Sequence, residues 1–160
     1  MSDAAQVARL ADALRARGWS LATAESCTGG LIAAACTDLA GSSDWFERGF
    51  VTYSNAAKHE LLGVDEALIR AHGAVSRPVA LAMAAGALAR SRAQLAVAVT
   101  GIAGPAGGTP DKPVGTVWIA TASQDGAAQA LSFRFGGDRR AVREASVQEA
   151  FALLLARLQA

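Results

Sequence analysis

The sequence predicts one three-layer α/β/α domain built on a mixed sheet. Helix and strand patterns alternate through the first hundred residues, which calls for parallel strands joined by crossover helices. Two strand patterns, TVWIATAS and QALSFRF, then follow one another, which adds antiparallel pairing. The 160 residues suit a single domain over 1–160, large enough to bury a core without disulfide or metal.

The elements follow in order. Ser2 is placed to cap a first helix through about Arg17, with Val7, Leu10, Ala11 and Leu14 on one face and Gly18 as its stop. Residues 19–24 read as a strand. LIAAACTDLAG reads as a helix apolar on most faces, hence buried. FERGFVTYSN alternates as a strand, and AAKHELLG and VDEALIRAHG are short helices, the second capped by Asp65. Ser76 and Pro78 open a longer helix, whose internal Gly86 predicts a close neighbour. QLAVAVTG is an almost unbroken apolar run, as for a strand covered on both faces. Asp138 caps a final helix with Val147, Ala150, Phe151, Leu154 and Leu158 as its apolar stripe.

Composition narrows the function classes. The formal net charge of +1 gives no footing for a nucleic-acid or membrane surface. No apolar run approaches the roughly 18 residues of a membrane span, and the N-terminus lacks a signal-peptide core. Cys27 and Cys36 form no CxxC pair, and no Cys/His set has zinc spacing, so no metal site is expected; no cofactor is expected either. A soluble cytoplasmic protein is expected. Alanine-rich helix faces and Gly86 permit packing between copies, and a homo-oligomer is expected.

Residues 23–30, TAESCTGG, place Ser26, Cys27 and Thr28 where a strand turns through Gly29 and Gly30 into a helix. In an open α/β sheet that carboxyl edge is where ligands bind. The turn and the helix N-terminus would offer N–H groups from Cys27 to Gly30 to an oxyanion. The plainer alternative is an ordinary helix cap. A phosphate P-loop fits poorly, because Leu31 stands where its lysine belongs.

A serine nucleophile needs a base. His59 and His72 both fall on short polar helices. The other route is a lysine held neutral by burial. The chain has two lysines, Lys58 and Lys112, among 15 basic residues, and arginine cannot replace a lysine that must give up its proton. Lys58 follows Tyr53, Ser54 and Asn55 just past a strand end; Lys112 lies in a long Gly/Pro loop. That loop, GIAGPAGGTPDKPVG, is expected to face a ligand, with Thr100 and Gly101 at its start. Arg139 sits in the first turn of the last helix, where a cation opposes the dipole and could serve an anionic ligand. Cys27 is the rival nucleophile.

TAESCTGG, GSSDWFERGFVTYSNAAK, GAVS, VTGIAGPAGGTPDKPVGTVWIA and GDR, in this order, resemble the CinA C-terminal domain family from about Leu14 to the final helix. Enzymatic members are nicotinamide-nucleotide amidases with a metal-free Ser-Lys mechanism. The resemblance therefore implies nicotinamide mononucleotide as substrate, and the stand-alone form without the molybdopterin-binding-like domain of longer CinA proteins. It implies Ser26 as nucleophile and Lys58 as base. Tyr53 is expected to hydrogen-bond one of them. Glu25 is expected to orient the turn rather than act as base and, with Asn55, Thr100, Gly101 and Arg139, to lie around the substrate. A binding or competence-associated module without turnover is the alternative.

Overall fold

The computed structural model describes residues 4–159, so the cap expected at Ser2 lies outside the described residues. Helix α1 (Ala4–Arg17) leads into β1 (Leu21–Glu25), and α2 (Leu31–Thr37) and a 3-10 turn lead into β2 (Phe46–Val51). Three helices follow, α3 (Asn55–Leu62), α4 (Glu66–His72) and α5 (Arg77–Ala89). Then come β3 (Leu95–Gly101), β4 (Thr116–Ser123), β5 (Gly126–Arg134) and α6 (Arg139–Gln159).

The sheet order is β2-β1-β3-β4-β5. β1 is parallel to β2 and β3, while β3–β4 and β4–β5 are antiparallel. The mixed three-layer sheet is thus as expected, and its two faces differ in side-chain size. Along β3, Leu95, Val97 and Val99 join a cluster with Leu10, Leu14, Phe151 and Leu154, from α1 and α6. Ala96 and Ala98 turn to the other face, with Ala80, Met83 and Ala84 of α5. Small residues on that face let α5 lie close to the strands.

Gly86 serves the same closeness. A Cβ there would run into the carbonyl oxygen of Leu62, at the end of α3. Gly86→Ala is expected to lower stability by about 1–3 kcal/mol, since a backbone oxygen cannot swing aside. Alanine's better helix propensity offsets roughly 1 kcal/mol at most. A thermal melt showing no loss would contradict this close approach.

One helix differs from expectation. α2 ends at Thr37, and only Ile32, Ala35 and Cys36 are buried. Leu31 and Ala34 are exposed. The residue pattern is apolar all round, but the helix packs through one face and lines a cavity with the other.

Candidate active site

The parallel strands bring three segments to one edge. Val51 of β2 and Val99 of β3 both pair with Glu25 of β1. The residues just beyond, Ser26, Thr52–Tyr53 and Thr100, therefore emerge side by side. Ser26 N–H donates to Val99 O at 3.0 Å and Thr52 N–H to Glu25 O at 2.8 Å, which fixes the register of the turn. Ser54 then caps α3 by accepting from Ala57 N–H. One helical turn sets Lys58 pointing back to the strand ends.

Lys58 is 1% exposed. Its Nζ lies 2.9 Å from Ser26 Oγ, 2.9 Å from Thr52 O and 3.0 Å from Tyr53 O. Two carbonyls can take only N–H donors. In the neutral amine those two bonds use both protons, and the lone pair is left for the Ser26 hydroxyl, which then donates to Nζ. Burial favours that form. Desolvation brings the Lys58 pKa down from 10.5 to about 8.

Glu25 does not border the cavity at Ser26. Its carboxylate is fully buried and accepts from Ile32 N–H at 2.9 Å and Ala33 N–H at 3.0 Å. It holds the start of α2, so those N–H groups are not free for an anion. This corrects the expectation that Glu25 lines the substrate site. The oxyanion expectation narrows as well. Gly29 N–H is committed to Ser26 O at 3.1 Å, and Thr28 is fully buried. Of Cys27 to Gly30, only Cys27 borders the cavity at Ser26.

That cavity is about 230 Å³, with Tyr53, Asn55, Lys58, Thr100, Gly101 and Arg139 in its wall beside Ser26 and Cys27. The sequence-derived set is thus gathered in one place, apart from Glu25, Thr28, Gly29 and Gly30. Thr100 Oγ1 is turned to the Ala74 carbonyl at 3.0 Å, pinning the loop before α5, whose Ala74 and Val75 also border the cavity. Gly101 is required sterically, since a Cβ would press on Val117.

Tyr53 acts differently from expectation. Its backbone carbonyl accepts from Lys58, but its phenol is exposed and accepts from Arg139 Nη2 at 3.2 Å. Arg139 Nη1 also donates to Gly104 O at 2.8 Å, joining the long loop to the cavity rim.

The rivals stand elsewhere or are disarmed. His59 lies against Val64 O and Glu66, and the His72 carbonyl accepts from Lys112 Nζ; neither histidine borders the cavity at Ser26. Burial pushes the Cys27 thiol up to about 11, so it is a poor source of thiolate.

One residue escaped the sequence reading. Arg143 on α6 donates through Nε to Cys27 O at 3.1 Å, bracing the turn. Its only sequence signal was the cluster Arg139, Arg140, Arg143. Arg143 also lines a larger cavity of about 830 Å³, which shares Ala103 and Arg139 with the smaller one. Among the described residues no three His, Cys, Asp or Glu side chains converge as metal ligands, and no helix is long and apolar enough to cross a membrane.

The chain resembles proteins of recorded activity. It is 60% identical over 131 residues to the nicotinamide-nucleotide amidohydrolase PncC of Enterobacter agglomerans, covering 82% of this chain and 80% of that one. It is 56% identical over 135 residues to the PncC of Escherichia coli strain K12, covering 84% and 82%. The crystal structure of the competence/damage inducible protein CihA from Agrobacterium tumefaciens superposes with a TM-score of 0.95 at 49% identity, covering 98% of this chain and 95% of that one. Residues 3–158 match the CinA C-terminal domain, and the chain belongs to that family.

Proposed function

We propose that this protein hydrolyses the carboxamide of nicotinamide mononucleotide to nicotinic acid mononucleotide and ammonia, with Ser26 as nucleophile and Lys58 as its base. The observation that carries the mechanism is the buried lysine amine 2.9 Å from Ser26 Oγ, its other two contacts both carbonyls. The substrate follows from the amidohydrolase relatives, which match over most of both chains.

Neutral Lys58 takes the Ser26 proton as Oγ attacks the carboxamide carbon. The Cys27 N–H faces the oxyanion that forms. Lysinium then returns the proton to the departing nitrogen, and ammonia leaves an ester on Ser26. Water enters, Lys58 takes its proton, and hydroxide attacks the ester. Ser26 leaves with the proton from Lys58, and the acid is released. A neutral lysine also avoids setting a second cation beside the pyridinium ring.

The test is ammonia release from nicotinamide mononucleotide by the native chain, with binding followed in parallel. Release that persists in Cys27→Ala, at no less than about a tenth of native, supports Ser26 as nucleophile. Binding without release would instead favour a module that keeps the pocket and lacks turnover.

A further inference from the structure

The turn at Ser26 must accommodate negative charge when the serine attacks, yet its own surroundings oppose this. The Glu25 carboxylate is fully buried beside the nucleophile and takes the Ile32 and Ala33 N–H groups. The first N–H groups of α2 therefore face a carboxylate instead of an oxyanion. Lys58 is neutral as Ser26 attacks, so it brings no compensating charge.

The peptides of the turn are linked in series. Leu31 N–H donates to Thr28 O at 3.0 Å. Gly29 N–H, on the same peptide as Thr28 O, donates to Ser26 O at 3.1 Å. Cys27 N–H shares its peptide with Ser26 O and points the opposite way, as a trans peptide requires. Each bond accepted at a carbonyl polarises its peptide and strengthens the N–H at the other end.

Arg143 enters this series from α6. Its Nε donates to Cys27 O at 3.1 Å, and its Nη2 donates weakly to Thr28 O at 3.5 Å. Among the described residues it is the one cation that donates to the backbone carbonyls of residues 26–30. The opposing charges are felt at Cys27. Burial dominates the rise of its thiol pKa and Glu25 adds to it, while Lys58 and Arg143 pull it down.

We infer that Arg143 is a positioning residue for the hydrolysis: its guanidinium fixes the Cys27 and Thr28 carbonyls and offsets Glu25, so that Cys27 N–H meets the oxyanion already oriented and polarised. This rests on the amidase reading. Arg143 acts through the turn and not on the reacting atoms.

Arg143→Ala is expected to lower kcat for nicotinamide mononucleotide by about 10–100-fold, below the roughly 10²–10³-fold of losing an oxyanion donor outright. KM should stay within about threefold, because the interaction is realised in the transition state. The bend of the pH profile at about 8 should not move, since Arg143 does not touch Lys58. Arg143→Lys, which keeps the charge, should lose less. Added methylguanidinium should restore part of the Arg143→Ala rate, entering by the larger cavity that Arg143 lines. If Arg143→Ala melts early, Arg143→Lys carries the test, with kcat lowered and KM held. A raised KM at unchanged kcat would make Arg143 a substrate contact and overturn the inference. So would an unchanged kcat, or a loss that neither lysine nor methylguanidinium recovers. If the native protein releases no ammonia, the amidase reading fails on its own. Arg143 is then judged by acetylation of Ser26 with p-nitrophenyl acetate, followed by protein mass. In that step Oγ displaces p-nitrophenolate and Lys58 takes the hydroxyl proton. Slower acetylation of Arg143→Ala, restored by methylguanidinium, supports the role. An equal rate, a slower rate without restoration, or no acetylation of the native protein, overturns it.

Discussion

Ser26→Ala is expected to lower the rate of ammonia release by roughly 10⁴–10⁶-fold, the range seen when a hydrolase loses its nucleophile. Lys58→Met should cost about 10²–10⁴-fold, the usual contribution of a positioned base. The two changes should not multiply. Without Ser26 there is no hydroxyl for the amine to deprotonate, so the double variant should resemble Ser26→Ala. Single-turnover release of ammonia from nicotinamide mononucleotide checks all three. A Ser26→Ala protein within tenfold of native would remove Ser26 from the mechanism.

The second large effect lies in stability and has the same origin. Lys58 titrates at about 8 in the folded protein and near 10.5 when solvated. Between those values the unfolded chain holds the proton and the folded chain does not, so stability rises with pH. Below about 8 both forms are charged, and burying the cation costs about 3 kcal/mol. The buried cysteines act in the opposite sense. Burial holds Cys27 and Cys36 protonated in the folded state, which removes stability above about pH 9 as the unfolded thiols ionise. Comparison with Lys58→Met removes most of the cysteine effect, leaving only the part that Lys58 itself exerts on Cys27. From pH 7 to pH 9, denaturant unfolding should show the native protein gaining about 1 kcal/mol on the variant. A gap that stays constant across that window would mean that Lys58 keeps an ordinary pKa.

Much of this was legible in residue order. Period and punctuation located every α-helix and strand to within a few residues, because most apolar stripes have a sheet or helix face to meet. β4 is Thr116–Ser123, the whole of TVWIATAS. The pairing of Ser26 with Lys58 was open to the residues alone and was indicated by family likeness. What joins them physically is the strand order β2-β1-β3, which no local pattern encodes. Glu25 orients the turn as its place beside Ser26 suggests, but only the folded turn shows that the Ile32 and Ala33 N–H groups engage its carboxylate and keep it out of the cavity. The phenol of Tyr53 was expected near the dyad and points instead to Arg139, 86 residues along the chain. Arg143 went unread for the same reason, since its partner carbonyl at Cys27 lies 116 residues away. Long-range bonds between a side chain and a backbone carbonyl leave no periodic trace.

If a neutral buried lysine activates Ser26, its ionisation governs the pH dependence of kcat/KM for ammonia release from nicotinamide mononucleotide, which reports ionisation of the free enzyme. The expected profile rises tenfold per pH unit at low pH, bends at about 8 where Lys58 loses its proton, and levels above it. A bend near 6.5, the ordinary histidine value, or a flat line from pH 6 to 9 would contradict it.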